Sequence, residues 1–269
     1  MRRMERQPPA QTSRLADRLA RGERVLALGV RHARTPDIAR YAAASGHDLV
    51  WVDLEHSTMG ADCAAAISAA AADLGLISLV RVPERDYGVI GRLLDGGAMG
   101  IIAPRIETAD QARDIVQACR FPPHGHRSAI ASLPQVGYAR MPAPELFAAA
   151  DATTQLQILI ESPLGVANAE AIARVPGVDM LAIGTNDLCA ELGLPGDARH
   201  PKVREAHLAA LDACRRAGKP LAIGGIADPT HNAELLQLGA APFVMTGIDS
   251  DLLLAALRDK VRLANETPA

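Results

Sequence analysis

Eight short apolar runs, each followed by a helix-forming stretch, constrain this chain more than any other feature. They fall at residues 25–30, 49–54, 77–82, 100–105, 156–161, 180–185, 220–225 and 243–248, so successive starts are 24, 28, 23, 56, 24, 40 and 23 residues apart. A spacing in the twenties is what one strand, one crossover helix and two short loops occupy. Runs such as VLALGV at 25–30 lack polar alternation, as do strands of a parallel sheet covered by helices. Eight βα units predict a single-domain (β/α)8 TIM barrel over residues 21–269, with an open doubly wound sheet as the alternative. Helix punctuation agrees: Thr108 with Gln111 forms a capping box, and Asp228-Pro229 opens a helix that stops at Gly239.

The two long intervals contain FPPHGHRSAIASLPQVGYARMP and TNDLCAELGLPGDARHP. Long loops on a rigid barrel are usually functional, and neither is expected to bury a core of its own. Residues 1–20 read as a flexible arm. With 28 Lys+Arg against 31 Asp+Glu and only one Trp, three Tyr and three Phe, the chain lacks the basic field and stacking platforms of a nucleic-acid binder. No apolar run approaches the roughly 20 residues of a membrane span, so no membrane partner is expected. Four cysteines without CxxC spacing read as thiols of a reducing cytoplasm, and neither a zinc ribbon nor a disulfide framework is written here.

A TIM barrel carries its reacting groups at the C-terminal ends of its strands. Those ends hold Asp53, Glu55 and His56 after the second run, Arg81 on the third, Glu161 on the fifth and Asp187 after the sixth. Glu161 and Asp187 come from neighbouring strands and either share a hard divalent cation or cap the helices that follow. His56 is a candidate general base that Asp53 would orient, or a rim histidine bonded to backbone. Arg81 either steadies a developing oxyanion or forms a salt bridge to Asp53, Glu55 or Glu84. The three lysines, Lys202, Lys219 and Lys260, sit at a helix start, below a strand and in the last helix, so none is placed for Schiff-base chemistry. Carbonyl chemistry in this barrel therefore calls for a metal as electron sink. Gly224-Gly225-Ile226 and the run 246–249 fit tight turns better than a phosphate cradle, and His124 and His126 fit a solvated loop better than a metal site.

The runs GHDLVWVDLEHS, LVRVPERD, LLDGGAMGIIAPRIETADQAR, RFPPHGHRS, IES and GVDMLAIGTNDLCAELGLPGDARHP, in order over residues 25–248, resemble the HpcH/HpaI aldolase/citrate lyase family. The resemblance implies a class II aldolase that reversibly cleaves a 4-hydroxy-2-oxo acid to pyruvate, or a close 2-oxo acid, and an aldehyde. It implies Mg²⁺, Mn²⁺ or Co²⁺ as cofactor, with no Schiff-base lysine and no nucleotide. Carried onto this sequence, Glu161 and Asp187 hold the metal, His56 moves the proton, Arg81 stabilises the transition state, and Arg81, Asn186 and Asp187 meet the substrate. Asp95, in the LDxGA motif, is implied to raise the histidine's basicity. It ends a helix at the bottom of the barrel, so it either acts across a subunit contact or organises the Gly96-Gly97 turn. The resemblance further implies a homo-oligomer, a hexamer, in which a C-terminal helix over 251–264 packs on a neighbour.

Three positions depart from the family pattern and bear on the substrate pocket. Leu159 stands where a substrate-binding glutamine is common, with Gln157 one strand repeat earlier; Asn186 replaces an alanine, and Ser128 a glycine. The rival expectations are a citrate-lyase-like or citrate-synthase-like carbon–carbon lyase on the same barrel, and a non-catalytic metabolite-binding barrel.

Overall fold

The computed structural model describes residues 15–266. Eight parallel strands, β1 (Val25–Val30), β2 (Leu49–Asp53), β3 (Ile77–Arg81), β4 (Gly100–Ala103), β5 (Gln155–Ile160), β6 (Met180–Gly184), β7 (Leu221–Gly224) and β8 (Phe243–Ile248), lie in the order β7-β6-β5-β4-β3-β2-β1-β8. β1 pairs with both β2 and β8, and at the β7–β8 seam the Ala241 N–H donates to the Leu221 carbonyl (2.7 Å), so the sheet is a nearly closed TIM barrel. The helices are α1 (Leu15–Ala20), α2 (Asp37–Ala44), α3 (Ala61–Asp73), α4 (Ile90–Asp95), α5 (Ala109–Cys119), α6 (Ala143–Thr153), α7 (Pro163–Ala167), α8 (Ala169–Ala173), α9 (Thr185–Glu191), α10 (Pro201–Ala217), α11 (Pro229–Gln237) and α12 (Asp249–Glu266). The expected capping box closes on α5, and Asp228 caps α11 through the Thr230 N–H. Among the described residues no helix is long and apolar enough to cross a membrane.

Two apolar layers follow from the alternation of each strand. Outward residues such as Val50, Val80, Ile101, Ile158 and Ile183 pack against the helices, while Ala27, Leu79, Ile102, Leu159 and Ala182 face one another inside the barrel. β4 stops at Ala103, short of the expected 105, because Arg105 turns the chain with a φ of 53°.

Two expectations are corrected. The arm expected over 1–20 is helical from Leu15, and α1 closes the bottom of the barrel with buried Leu15 and Leu19; residues 1–14 lie outside the described residues. The long β4–β5 interval does bury a core of its own, in which Phe121, Leu133, Leu146 and Ala150 are buried and Phe121 stacks on Phe147 at 4.3 Å. Its apolar residues are scattered among Pro and Gly without a period, so only their convergence in space shows the cluster.

α12 contains no buried residue. Leu253, Leu257 and Val261 are exposed along it, and β8 beside it is the one described strand with no buried position.

α10 braces the upper rim from behind. Its fully buried His207 has Nε2 3.1 Å from Thr185 Oγ1, at the residue that opens α9. Burial, with His231 nearby adding to it, pushes the His207 pKa down to about 4. The folded state therefore keeps this imidazole neutral, while the unfolded chain takes a proton near its ordinary pKa of 6.5. Stability should fall as pH drops from about 6.5 to about 4, by about 3 kcal/mol in total for this group. Denaturant midpoints across that range should show the decline, and His207→Gln should flatten it.

Candidate active site

The site grows from a charge pair across two strands. Asp53 and Arg81 face each other in register at the ends of β2 and β3. Arg81 is only 5% exposed and lies over the Trp51 ring at 4.6 Å. Its Nε and Nη2 donate to the two oxygens of Asp53 (3.0 and 2.7 Å), and Nη1 lies 2.9 Å from Glu55 Oε2. Of the five guanidinium N–H groups, the two bonded to Asp53 are committed, and the contact with Glu55 is an ion pair without hydrogen-bond geometry. Asp53 also accepts from Arg31 Nε (3.0 Å) and from the backbone N–H groups of Glu55 and His56. Burial opposes the charge on Asp53, but the Arg81 guanidinium outweighs it and holds the carboxyl below its ordinary range. Burial pushes Glu55 the other way, upward, against the pull of Arg81.

This arrangement corrects the role expected for Asp53. Its oxygens are committed to arginines and backbone, so it fixes the loop that carries His56 without orienting the imidazole. The carboxylate nearest the ring is Glu55, 3.9 Å from Nε2, and the His56 side chain is 51% exposed at the rim. The salt-bridge reading of Arg81 is realised with Asp53 and Glu55, while Glu84 pairs instead with Arg85 and Arg105.

Glu161, following β5, is 3% exposed, and its Oε2 accepts the Arg105 backbone N–H at 2.9 Å. Burial, reinforced by Glu55 and Asp187 and opposed by that N–H, raises its pKa to about 7. Asp187 lies in the first turn of α9, and its Oδ1 receives Arg105 Nη2 at 3.2 Å. Neither carboxylate fills a cap position: Ser162 caps α7, and Gly184 precedes α9. Gly184 leaves the space that Glu161 occupies, since a Cβ there would stand 2.7 Å from Glu161 Oε1.

A buried carboxylate that its neighbours make reluctant to ionise, beside a second carboxylate, is a donor set suited to a hard divalent cation. Among the described residues no cluster of three or more His, Cys, Asp or Glu exists to complete such a shell, so water or ligand oxygens would supply the rest.

These groups open onto one cavity of about 460 Å³, which Asn186 also lines. None of the three lysines borders it, and Lys219 lies at the bottom, donating to the Val178 carbonyl (2.7 Å). Asp95 ends α4 at the opposite end of the barrel and pairs with Arg127 at 2.7 Å, so it does not meet His56 within this chain. His124 and His126 are exposed, as a solvated loop requires. Sequence reasoning passed over Arg31 and Arg105. Each follows a strand as Arg81 closes β3, so the strand-end rule applied to every arginine would have found both.

Residues 31–256 match the profile of the HpcH/HpaI aldolase/citrate lyase family, and the chain belongs to that family. It is 37% identical over 246 residues to a 4-hydroxy-4-methyl-2-oxoglutarate aldolase of Hapsidospora irregularis, covering 89% of this chain and 90% of that one. It is 37% identical over 221 residues to a 4-hydroxy-2-oxovalerate aldolase of Rhodococcus jostii, covering 80% and 82%. A crystal structure of an HpcH/HpaI aldolase from Desulfitobacterium hafniense superposes with a TM-score of 0.86 at 27% identity, over 95% of this chain and 98% of the other. The protein is accordingly an aldolase-type carbon–carbon lyase.

Gly184→Ala should displace the Glu161 carboxylate while leaving the barrel intact. Mn²⁺ affinity, read by electron paramagnetic resonance, is expected to fall at least about tenfold with an unchanged far-ultraviolet dichroism spectrum, since the close approach leaves no room for a methyl group.

Proposed function

We propose that this lyase reversibly cleaves a 4-hydroxy-2-oxo acid to pyruvate, or a close 2-oxo acid, and an aldehyde. The observation that carries this reading is the convergence, on one cavity mouth, of the Glu161–Asp187 pair, the Arg81 N–H groups not bonded to Asp53 and the half-exposed His56. The hydroxy-oxo acids named for the relatives support it.

Glu161 and Asp187 would hold a divalent cation, Mg²⁺, Mn²⁺ or Co²⁺, whose contribution is Lewis-acid stabilisation of negative charge on the oxo acid. Arg81 offers its remaining N–H groups to that charge from a guanidinium already fixed by Asp53, Glu55 and Trp51, so little reorganisation accompanies the reaction. In cleavage, the His56 imidazole accepts the proton of the 4-hydroxyl as the C3–C4 bond breaks and delivers a proton to C3 of the departing oxo acid; synthesis reverses both transfers. Glu55 Oε2 stands 3.9 Å from His56 Nε2. Asn186 borders the acid from the first turn of α9. A catalytic part for Asp95 requires a neighbouring subunit to bring its carboxylate to the rim.

The chain works as a homo-oligomer in this reading, a hexamer by its family resemblance. An 18-residue helix without a buried side chain, next to a strand that lacks cover, supports α12 packing on another copy. Light scattering after size-exclusion chromatography should give a multiple of 28.3 kDa, and Leu253→Glu with Leu257→Glu should shift the mass downward.

The chemistry is tested without knowing the aldehyde. In D₂O the Mg²⁺-supplied enzyme should exchange the methyl protons of pyruvate, read by proton NMR. Exchange should vanish on chelation, fall about 10²–10⁴-fold in His56→Ala, and slow in Arg81→Lys, whose ammonium lacks the planar fork. Silence with pyruvate, 2-oxobutyrate and oxaloacetate alike overturns the reading.

A further inference from the structure

Below the carboxylate pair the cavity continues into the barrel and ends on an amide without a partner. Gln157, Leu159 and Glu161 share the inward face of β5 at two-residue steps of about 6.6 Å, which places the Gln157 backbone about 13 Å down the barrel from that of Glu161. At the level of Leu159, β6 and β7 present only Ala182 and Ala222, which stand in register with it and with each other. Their small side chains leave the interior open there, and Trp51, Ile102, Phe243 and Met245 wall the space.

Gln157 is 5% exposed, stands in register between Ile102 and Met180, and lines the cavity with its Oε1 buried and unbonded. Gln155, one inward step lower, accepts the backbone N–H of Leu15, so the other buried glutamine of this strand is satisfied. A buried amide left unpaired is a standing cost in the folded state, and such groups are seldom without a purpose. The amide offers one donor and one acceptor at the same place, and a hydroxyl group can meet both. The charged residues that line the cavity, Arg31, His56, Arg81, Glu161, Asp187 and Asp251, belong to strand ends and the loops and helices that follow them, so the inner end holds no cation for a carboxylate.

The geometry points to a recognition pocket inside the barrel for the side chain of a 2-oxo acid longer than pyruvate by about two or three carbons, with Gln157 bonding a neutral hydroxyl at its end. This rests on the aldolase reading, in which the acid's carboxylate and oxo group would face the cation that Glu161 and Asp187 hold. Those groups stand over the interior, whereas His56 marks the solvent side from which the aldehyde enters. Leu159, Ala182 and Ala222 then form the apolar passage between the reacting carbon and the amide.

Two measurements on the full chain with Mg²⁺ test it in the absence of any aldehyde. Binding is read from the fluorescence of Trp51, the single tryptophan, which lines the cavity, and C3 proton exchange is read by NMR in D₂O. The probes are pyruvate, 2-oxopentanoate, 5-hydroxy-2-oxopentanoate and 2-oxoglutarate. The hydroxyl-terminated acid is expected to bind about tenfold or more tightly than 2-oxopentanoate, with 2-oxoglutarate weakest of the longer acids. Gln157→Leu should erase the preference for the hydroxyl, and Ala182→Leu, which fills the passage with an apolar group, should lower the exchange of both neutral long acids relative to pyruvate. Longer acids that bind no better than pyruvate overturn the proposal, as does a hydroxyl preference that survives Gln157→Leu. A Gln157→Leu chain that binds and exchanges all four acids as the unaltered protein does overturns it equally. Failure of exchange with every acid, pyruvate included, removes the aldolase reading itself, and the Trp51 titration then still reports on the pocket.

Discussion

A guanidinium buried at the mouth of a barrel has to be matched by carboxylates, and in this protein that requirement organises the whole rim. Arg81 cannot leave Asp53 without stranding a buried charge, a loss of about 3–5 kcal/mol for pairs of this kind. Its bonds fix the end of β2 to the end of β3, and Asp53 Oδ1 also accepts the backbone N–H groups of Glu55 and His56, which fixes the loop that carries them. Around the cavity Asp53 and Glu55 pair with Arg81 and Asp187 pairs with Arg105, whereas Glu161 meets no arginine side chain of the described residues within ion-pair distance. Burial, reinforced by Glu55 and Asp187, accordingly raises the Glu161 pKa to about 7.

The scaffold holds each of these carboxylates through contacts with neighbouring strands and helices. Glu161 rests on the bare Cα of Gly184 and on the Arg105 backbone, and Asp187 rides on α9, whose first residue is tied to His207 of α10. His207 is fully buried on α10 behind the strands, where packing leaves few alternative positions. The interior below is built on the opposite plan, with alanines where a filled barrel would carry larger side chains. A chain that spends core volume in this way gains room for a ligand, and the unpaired amide of Gln157 lies at the end of that room.

The exposed face of α12 belongs to the same economy. The last βα unit of a closed barrel ordinarily covers its own strand, yet here the helix leaves β8 half-buried and carries its leucines into solvent. It is the face on which the proposed partner copy would complete the outer layer.

Repeat length, strand composition and strand-end chemistry sufficed to derive the barrel, the bottom-face position of Lys219 and the rim position of His56, Arg81, Glu161 and Asp187, because each depends on short-range periodicity and on the direction of parallel strands. The sequence could not show which carboxylate Arg81 would choose, that Asp53 would be consumed by arginines and backbone, or that Glu55 would stand nearest the imidazole. Nor could it show Leu15 closing the barrel floor, the small core around Phe121, or the orphaned amide of Gln157. Those outcomes depend on contacts between residues far apart in the chain, where competing partners are ranked by distance and burial. Such quantities exist only once the eight strands have closed around a common axis.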